Sequence, residues 1–374
     1  MAESAESAES TGAGGEGGRR GRGRHGGKPG RARGRTRRRV WRGAGIGCAA
    51  VLLATVAGGW WAYSSLDGNI KGVDIGEALG DDRPHRAPGA AGATNLLVLG
   101  SDSRAGDNAR LDGGAVGGAR SDTALVVHVS GDRTKAVAVS IPRDTLVDRP
   151  ACGKPGGGGT GPAGRVMFNS VYATGGAPCV VKTVEKMSGV RIDHYLEIDF
   201  AGFKDLVDEL GGVTVEVREP IRDTKGGFSL EPGTHRLNGT DSLKFVRTRY
   251  GYRDGSDLGR IGLQQQFLTA LLREVQRQDL LGNPAKSFRI ARSLTGSLTT
   301  DSELASLPAL VDFGRSMRGI DPATMDTIML PVAYDRADPN RVVPAEPQAG
   351  AVWKAIREDA PVPDSARRSP ASAR

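Results

Sequence analysis

The chain is short of thiols and imidazoles, with three cysteines and five histidines among 374 residues. None of them falls at zinc-ligand spacing, and no Ser–His or Cys–His pair stands in a recognisable motif, so a zinc-bound fold and triad-type acyl transfer both lack their parts. Residues 1–42 are nearly devoid of apolar side chains, an Ala-Glu-Ser repeat followed by Gly and Arg. Such a segment cannot bury enough surface to offset chain entropy and reads as a disordered basic tail. It carries eleven Arg and one Lys against four Glu, while the remainder balances at 39 basic and 39 acidic residues. The basic character belongs to the tail, and no nucleic-acid partner is expected for the rest.

The third absence is of charge, from Gly43 to Leu66. About 20 apolar residues rising 1.5 Å each span roughly 30 Å, the thickness of a bilayer core. We expect residues 43–66 to form a transmembrane helix, with the tail cytoplasmic by the positive-inside rule, and Trp60, Trp61 and Tyr63 at the outer interface. A cleaved signal peptide is the alternative, but no small-residue cleavage site follows the run. The expected localisation is therefore the cell membrane, single-pass, with the folded domain extracytoplasmic. Residues 67–93, with Pro84, Pro88 and a Gly/Ala run, read as a stalk, 94–360 as the domain, and 361–374 as a disordered end. Cys48 opens the apolar run and is an inert membrane residue. Cys152 and Cys179 fall in the domain placed outside, where a disulfide can staple the Gly/Pro-rich stretch between them, free thiols being the alternative.

Apolar strand candidates at 95–100, 124–129, 136–141, 194–198, 213–217 and 327–330 mix with helical patterns near 178–188, 200–210, 258–278, 303–318 and 349–358. Gly131-Asp-Arg133 makes an antiparallel hairpin of the second and third strands, and Gly211-Gly212 stops a helix. The fold class expected is α/β, a layered α/β/α domain around a central mixed sheet.

What the chain has in abundance is Arg/Asp pairs at strand ends: Asp102 with Arg104, Arg120 with Asp122, Arg143 with Asp144. A second cluster holds Arg247 and Arg249, which share a side if that segment is extended, and Arg260, with Gln264 one turn further along a helix. Any one pair reads most simply as a surface ion pair of little worth. Several clusters at element ends point instead to a polyanion, gripped by guanidinium forks matched to phosphate oxygens. Asp102 and Asp122 suit a hard cation, since Mg²⁺ takes one or two carboxylates beside phosphate and water.

The motifs Gly100-Ser-Asp-Ser-Arg104, Arg120-Ser-Asp-Thr123, Ser140-Ile-Pro-Arg-Asp-Thr145, Ile192 to Phe203, Gly211-Gly-Val213, Leu237-Asn-Gly239, Val246-Arg-Thr-Arg249 and Gly259 to Phe267 resemble, in order, the LytR-CpsA-Psr family. The resemblance covers roughly 94–277. It implies a membrane-anchored ligase that moves an anionic glycopolymer, such as teichoic acid, capsular polysaccharide or arabinogalactan, from a polyprenyl-pyrophosphate carrier to peptidoglycan through a phosphodiester. It further implies Mg²⁺ or Mn²⁺ on Asp102 and Asp122, and a greasy tunnel for the polyprenyl chain. Arg120, Arg143, Asp144, Arg247, Arg249 and Arg260 would be catalytic, with Arg104, Arg165, Asn169, Asp257 and Gln264 on the pyrophosphate. Arg165 stands where the family commonly has Lys. The general base is open among Asp102, Asp122 and Asp144. The alternatives are a polyprenyl-pyrophosphate hydrolase, a non-catalytic wall-polymer receptor and, more weakly, a regulator.

Overall fold

Runs of alternating β-branched and aliphatic residues become the strands of one sheet. Lys71–Val73 (β1), Thr94–Ser101 (β2), Ser121–Val129 (β3), Ala136–Ser140 (β4), His194–Asp199 (β5), Leu298–Asp301 (β6) and Asp326–Met329 (β7) lie in the order β1-β6-β5-β2-β3-β4-β7. The structure is a computed structural model that describes residues 64, 67–68, 70–80, 83–101, 121–153, 158–248, 257–278 and 284–370. β5 runs parallel to β2, and β7 to β4, while β3 runs against both β2 and β4. The sheet is thus mixed, as expected from the β3–β4 hairpin.

The helices are Ile75–Leu79 (α1), Phe168–Ser188 (α2), Phe200–Glu209 (α3), Gly239–Arg247 (α4), Asp257–Arg277 (α5), Pro284–Thr295 (α6), Leu307–Ser316 (α7) and Gln348–Arg357 (α8). One sheet face, carrying Leu97, Leu99, Val126, Val139 and Tyr195, is sealed under α2 and α8 in the largest core cluster. The other face, toward α5, is more open: Val98, Val127, Leu196 and Ile198 are only half-buried. A second core forms where the ribbon Val213–Val217/Gly233–Leu237 meets α4 and α5, around Val215, Phe245, Leu263 and Phe267. The strand expected at 213–217 therefore exists, but outside the central sheet.

α2 is two helical pieces, because Gly175 and Gly176 depart from helical angles and Pro178 follows. The disulfide Cys152–Cys179, with Cα atoms 5.4 Å apart, fixes the second piece to the ribbon Cys152–Gly153/Gly159–Thr160. A Cβ on Gly175 would fall 2.8 Å from Cys179 Cβ and 3.1 Å from Cys152 Cβ, so the bend and the bridge occupy one space.

Two expectations are corrected. Residues 67–93 are no simple stalk: β1 pairs with β6, α1 buries Ile75 and Leu79, and Arg83 bonds Glu185. Residues 361–370 are not disordered, since Val362, Ala366 and Ser369 are buried and Ser369 Oγ bonds both the amide and the carbonyl of Val332. In both places small residues and prolines conceal a few well-placed apolar anchors. The expected span 43–66 lies outside the described residues apart from Ser64. Among the described residues no helix is long and apolar enough to cross a membrane.

Candidate functional site

Strand direction decides what meets what. Because β2, β4, β5 and β7 point one way and β3 the other, the ends of the first four and the beginning of β3 share one edge of the sheet. Ser101 closes β2 opposite Ser121, and Gly100 pairs with Thr123, so the ladder skips Asp122 as a bulge. Bulges re-aim side chains at strand ends. Asp102, Arg104 and Arg120 fall in the connection 102–120, outside the described residues, as do Arg249 and the side chains of Asp122 and Asp257. Both ends of that connection are nonetheless paired at this edge.

Arg143 and Asp144 follow β4 at the same edge, with Arg143 Nε 3.7 Å from Asp144 Oδ2. Asn169 is buried at the start of α2, and its backbone N–H donates to Arg143 O at 3.1 Å. On the other side of the edge, Asp199 ends β5 and caps α3 by accepting from Gly202 N at 2.8 Å. The next residue, Phe200, carries the Arg247 guanidinium 4.8 Å from its ring centroid, within cation–π range. Arg247 is the last residue of α4, capped at its start by Asn238. The extended Arg247/Arg249 clamp is thereby corrected: Arg247 projects from a helix end, where its charge is favoured by the dipole.

The long helix α5 closes the edge. Gln264 Nε2 donates to Thr123 Oγ1 and to Val246 O, each at 3.1 Å, and so joins β3, α4 and α5. Arg260, one turn earlier, is buried with 4% of its surface exposed. A guanidinium held that deep near a helix N-terminus needs negative charge about it. Arg143 follows β4, Arg247 meets Phe200 after β5, and Arg260 lies one turn before Gln264, which reaches the start of β3.

Arg165 differs. It lies on the ribbon Leu146–Arg149/Ala163–Met167 with φ 53°, and its guanidinium pairs with Asp335 Oδ1 at 2.8 Å. That hydrogen bond, ahead of opposing burial, holds Asp335 below the usual carboxylate range. Arg165 is thus engaged by a carboxylate of the 335–341 turn.

The sequence reading missed two groups. Arg341, from that same turn, reaches within 3.7 Å of Asp144 Oδ1, and Val342 N donates to Asp144 O. Asp144 therefore lies between two arginines, and only the charge-rich run Asp335 to Arg341 hinted at it. Beneath the edge, Glu197 of β5 is buried and accepts from the hydroxyls of Tyr172 and Tyr195. Burial first, and then the Glu197 charge, lift both phenols well above their ordinary range.

The described residues thus form a mixed α/β domain with arginines and acids at one edge of its sheet. The family model described as the LytR_cpsA_psr family matches residues 62–358, and the chain belongs to that family. It is 35% identical over 213 residues to LcpB of Corynebacterium glutamicum, named a probable cell wall biosynthesis protein, covering 55% of this chain and 48% of that one. It is 29% identical over 293 residues to LcpA of the same organism, named a cell wall biosynthesis protein, covering 68% and 54%. The chain spans about half the length of these two relatives. It is 32% identical over 234 residues to TagT of Bacillus subtilis, named a polyisoprenyl-teichoic acid--peptidoglycan teichoic acid transferase, covering 60% and 66%. Among solved structures, the LytR-Csp2A-Psr enzyme from Actinomyces oris superposes with a TM-score of 0.56 at 25% identity, covering 77% of this chain and 96% of that one.

Proposed function

We propose that this protein is a membrane-anchored transferase that moves an anionic glycopolymer from a polyprenyl-pyrophosphate carrier to peptidoglycan on the outer side of the membrane. The observation that carries the reading is the convergence of Arg143, buried Arg260, Arg247 and Gln264 at one strand edge. Preorganised cations of this kind stabilise the charge that builds on a phosphoryl group during displacement. The names of TagT and the LcpA and LcpB relatives support the same direction.

An acceptor hydroxyl gives its proton to one of the carboxylates Asp102, Asp122 or Asp144 and attacks the sugar-proximal phosphorus, the bond to the bridging oxygen breaks, and polyprenyl phosphate departs. Arg143, Arg247 and Arg260 hold the phosphates, and Gln264 keeps the edge in register. The donor carries its own activated bond, so no nucleotide is consumed. Asp102 and Asp122 would hold Mg²⁺ or Mn²⁺, which supplies charge neutralisation when bound. The bulge that sets Asp122 beside the end of β2, directly before Asp102, suits a pair of carboxylates on one cation. The half-open apolar face of Val98, Val127, Leu196 and Ile198 suits a polyprenyl tail.

The test is to incubate the full chain with lipid-pyrophosphate-linked polymer, peptidoglycan and Mg²⁺. Polymer joined to peptidoglycan is the expected product. Free phosphorylated polymer alone identifies a hydrolase, and unaltered donor identifies a receptor.

A further inference from the structure

α7 is unlike the other helices that pack against the sheet, for none of its residues is buried. Leu307 and Leu310 are half-exposed, Pro308 is exposed, and Val311, 40% exposed, is the one large aliphatic side chain among the described residues to be so open. Arg315 and Arg318 flank this strip in solution, Arg315 bridging to Asp312 at 2.9 Å. Phe313 stands edge-on to His194 at 5.6 Å, which locates α7 at the beginning of β5. That is the sheet edge opposite the arginines.

The start of α7 is tied to one particular residue. Leu307 N donates to Asp67 Oδ1 at 2.8 Å. Asp67 is the first charged residue after the uncharged run 43–66. Successive Cα atoms lie about 3.8 Å apart, so whatever Asp67 touches sits within a residue or two of the end of that run. The headgroup layers add roughly 5 to 7 Å to each side of the hydrocarbon. On a chain whose residues 43–66 cross the bilayer, the first turn of α7 lies in or against that layer.

We propose that α7 is a membrane-docking helix, resting Pro308, Leu310 and Val311 on the outer leaflet while Arg315 and Arg318 meet anionic headgroups. The inference rests on residues 43–66 spanning the bilayer. Interfacial helices bind by this combination of modest apolar area and basic flanks. The docking also orients the domain. β5 has six residues, and at about 3.3 Å each they lift the arginine edge roughly 20 Å above α7. A polyprenyl tail rising from the leaflet along the half-open sheet face would bring its pyrophosphate to the opposite edge.

The experiment uses the full chain, with Cys48→Ser to leave no free thiol, reconstituted into vesicles of equal parts phosphatidylglycerol and phosphatidylcholine. A nitroxide is placed at Val311→Cys, and at Asp338→Cys as a control beside Arg341. Power saturation should give the label at 311 a several-fold higher oxygen-to-nickel-chelate collision ratio than the control. Carbonate extraction of the same vesicles reports the anchor separately. A retained chain whose 311 label is as chelate-accessible as the control overturns the docking and leaves the anchor standing. A 311 label shielded from both probes means that protein, such as a second copy, covers α7, and overturns it also. A chain released by carbonate removes the span and the docking together.

Discussion

Gln264 of the long helix donates to Thr123 at 3.1 Å, so the helix carrying Arg260 is held against the start of the strand that carries Asp122. Gln264→Ala removes that bond and the one to Val246 O. We expect a stability loss of about 1 to 2 kcal/mol for two net hydrogen bonds. Transfer should fall by more than that loss explains, roughly 10- to 10²-fold, because the arginine edge loses its register. Denaturant midpoints and transfer rates on the same preparation check both.

Arg143 stands at the end of β4 with its side chain against Asp144. Arg143→Ala should slow transfer on the order of 10²- to 10³-fold, as loss of one preorganised donor does elsewhere. Arg143→Lys keeps the charge but not the planar fork, and should restore only part of the rate. Wild-type transfer by Arg143→Ala would remove it from the catalytic set.

The Cys152–Cys179 bridge closes 27 residues. The chain-entropy model gives about 3 to 4 kcal/mol for a loop of that size. Cys152→Ser with Cys179→Ser should lower the urea midpoint accordingly, and reductant should lower the wild-type midpoint but not that of the double variant. Gly175→Ala should destabilise the oxidised protein more than the double variant, since the bridge holds in place the two Cβ atoms that its own Cβ would meet, whereas unbridged serines can move apart.

His194 and Asp301 give a pH signature. Burial opposes charge on both, yet each outweighs it through the other: Asp301 raises His194 above its usual value, and His194, with the amides of Tyr195 and Leu304, lowers Asp301. A raised His contributes stability that is complete below about pH 6.5, its unfolded value, and is lost as pH rises through its folded value. A lowered Asp contributes above about pH 3.9 and loses its share as pH falls further. The pair is therefore strongest between those limits. The stability gap between wild type and His194→Gln should be widest near pH 5 and shrink above neutrality, as urea midpoints across pH would record.

The central strands were legible because aliphatic runs ending on Gly or Ser have few other uses, and the edge cluster because arginines repeat at those ends. The condition on Arg247 is not met: Val246 and Thr248 favour a strand, but Asn238 caps a helix that carries the arginine at its end. Arg341 was hidden because its approach to Asp144 depends on a return of the chain nearly two hundred residues later. Glu197 lies within the run Ile192 to Phe203, yet the two tyrosines that surround it come from β5 itself and from α2. Pairings of that range follow from topology, which local patterns do not carry.

The bulge at Asp122 and the pairing of Ser101 with Ser121 pin both ends of the 102–120 connection. Closing a loop costs free energy that grows only with the logarithm of its length. Insertions or deletions inside this connection can thus vary between related proteins while the strand register, and the arginines that depend on it, stay fixed.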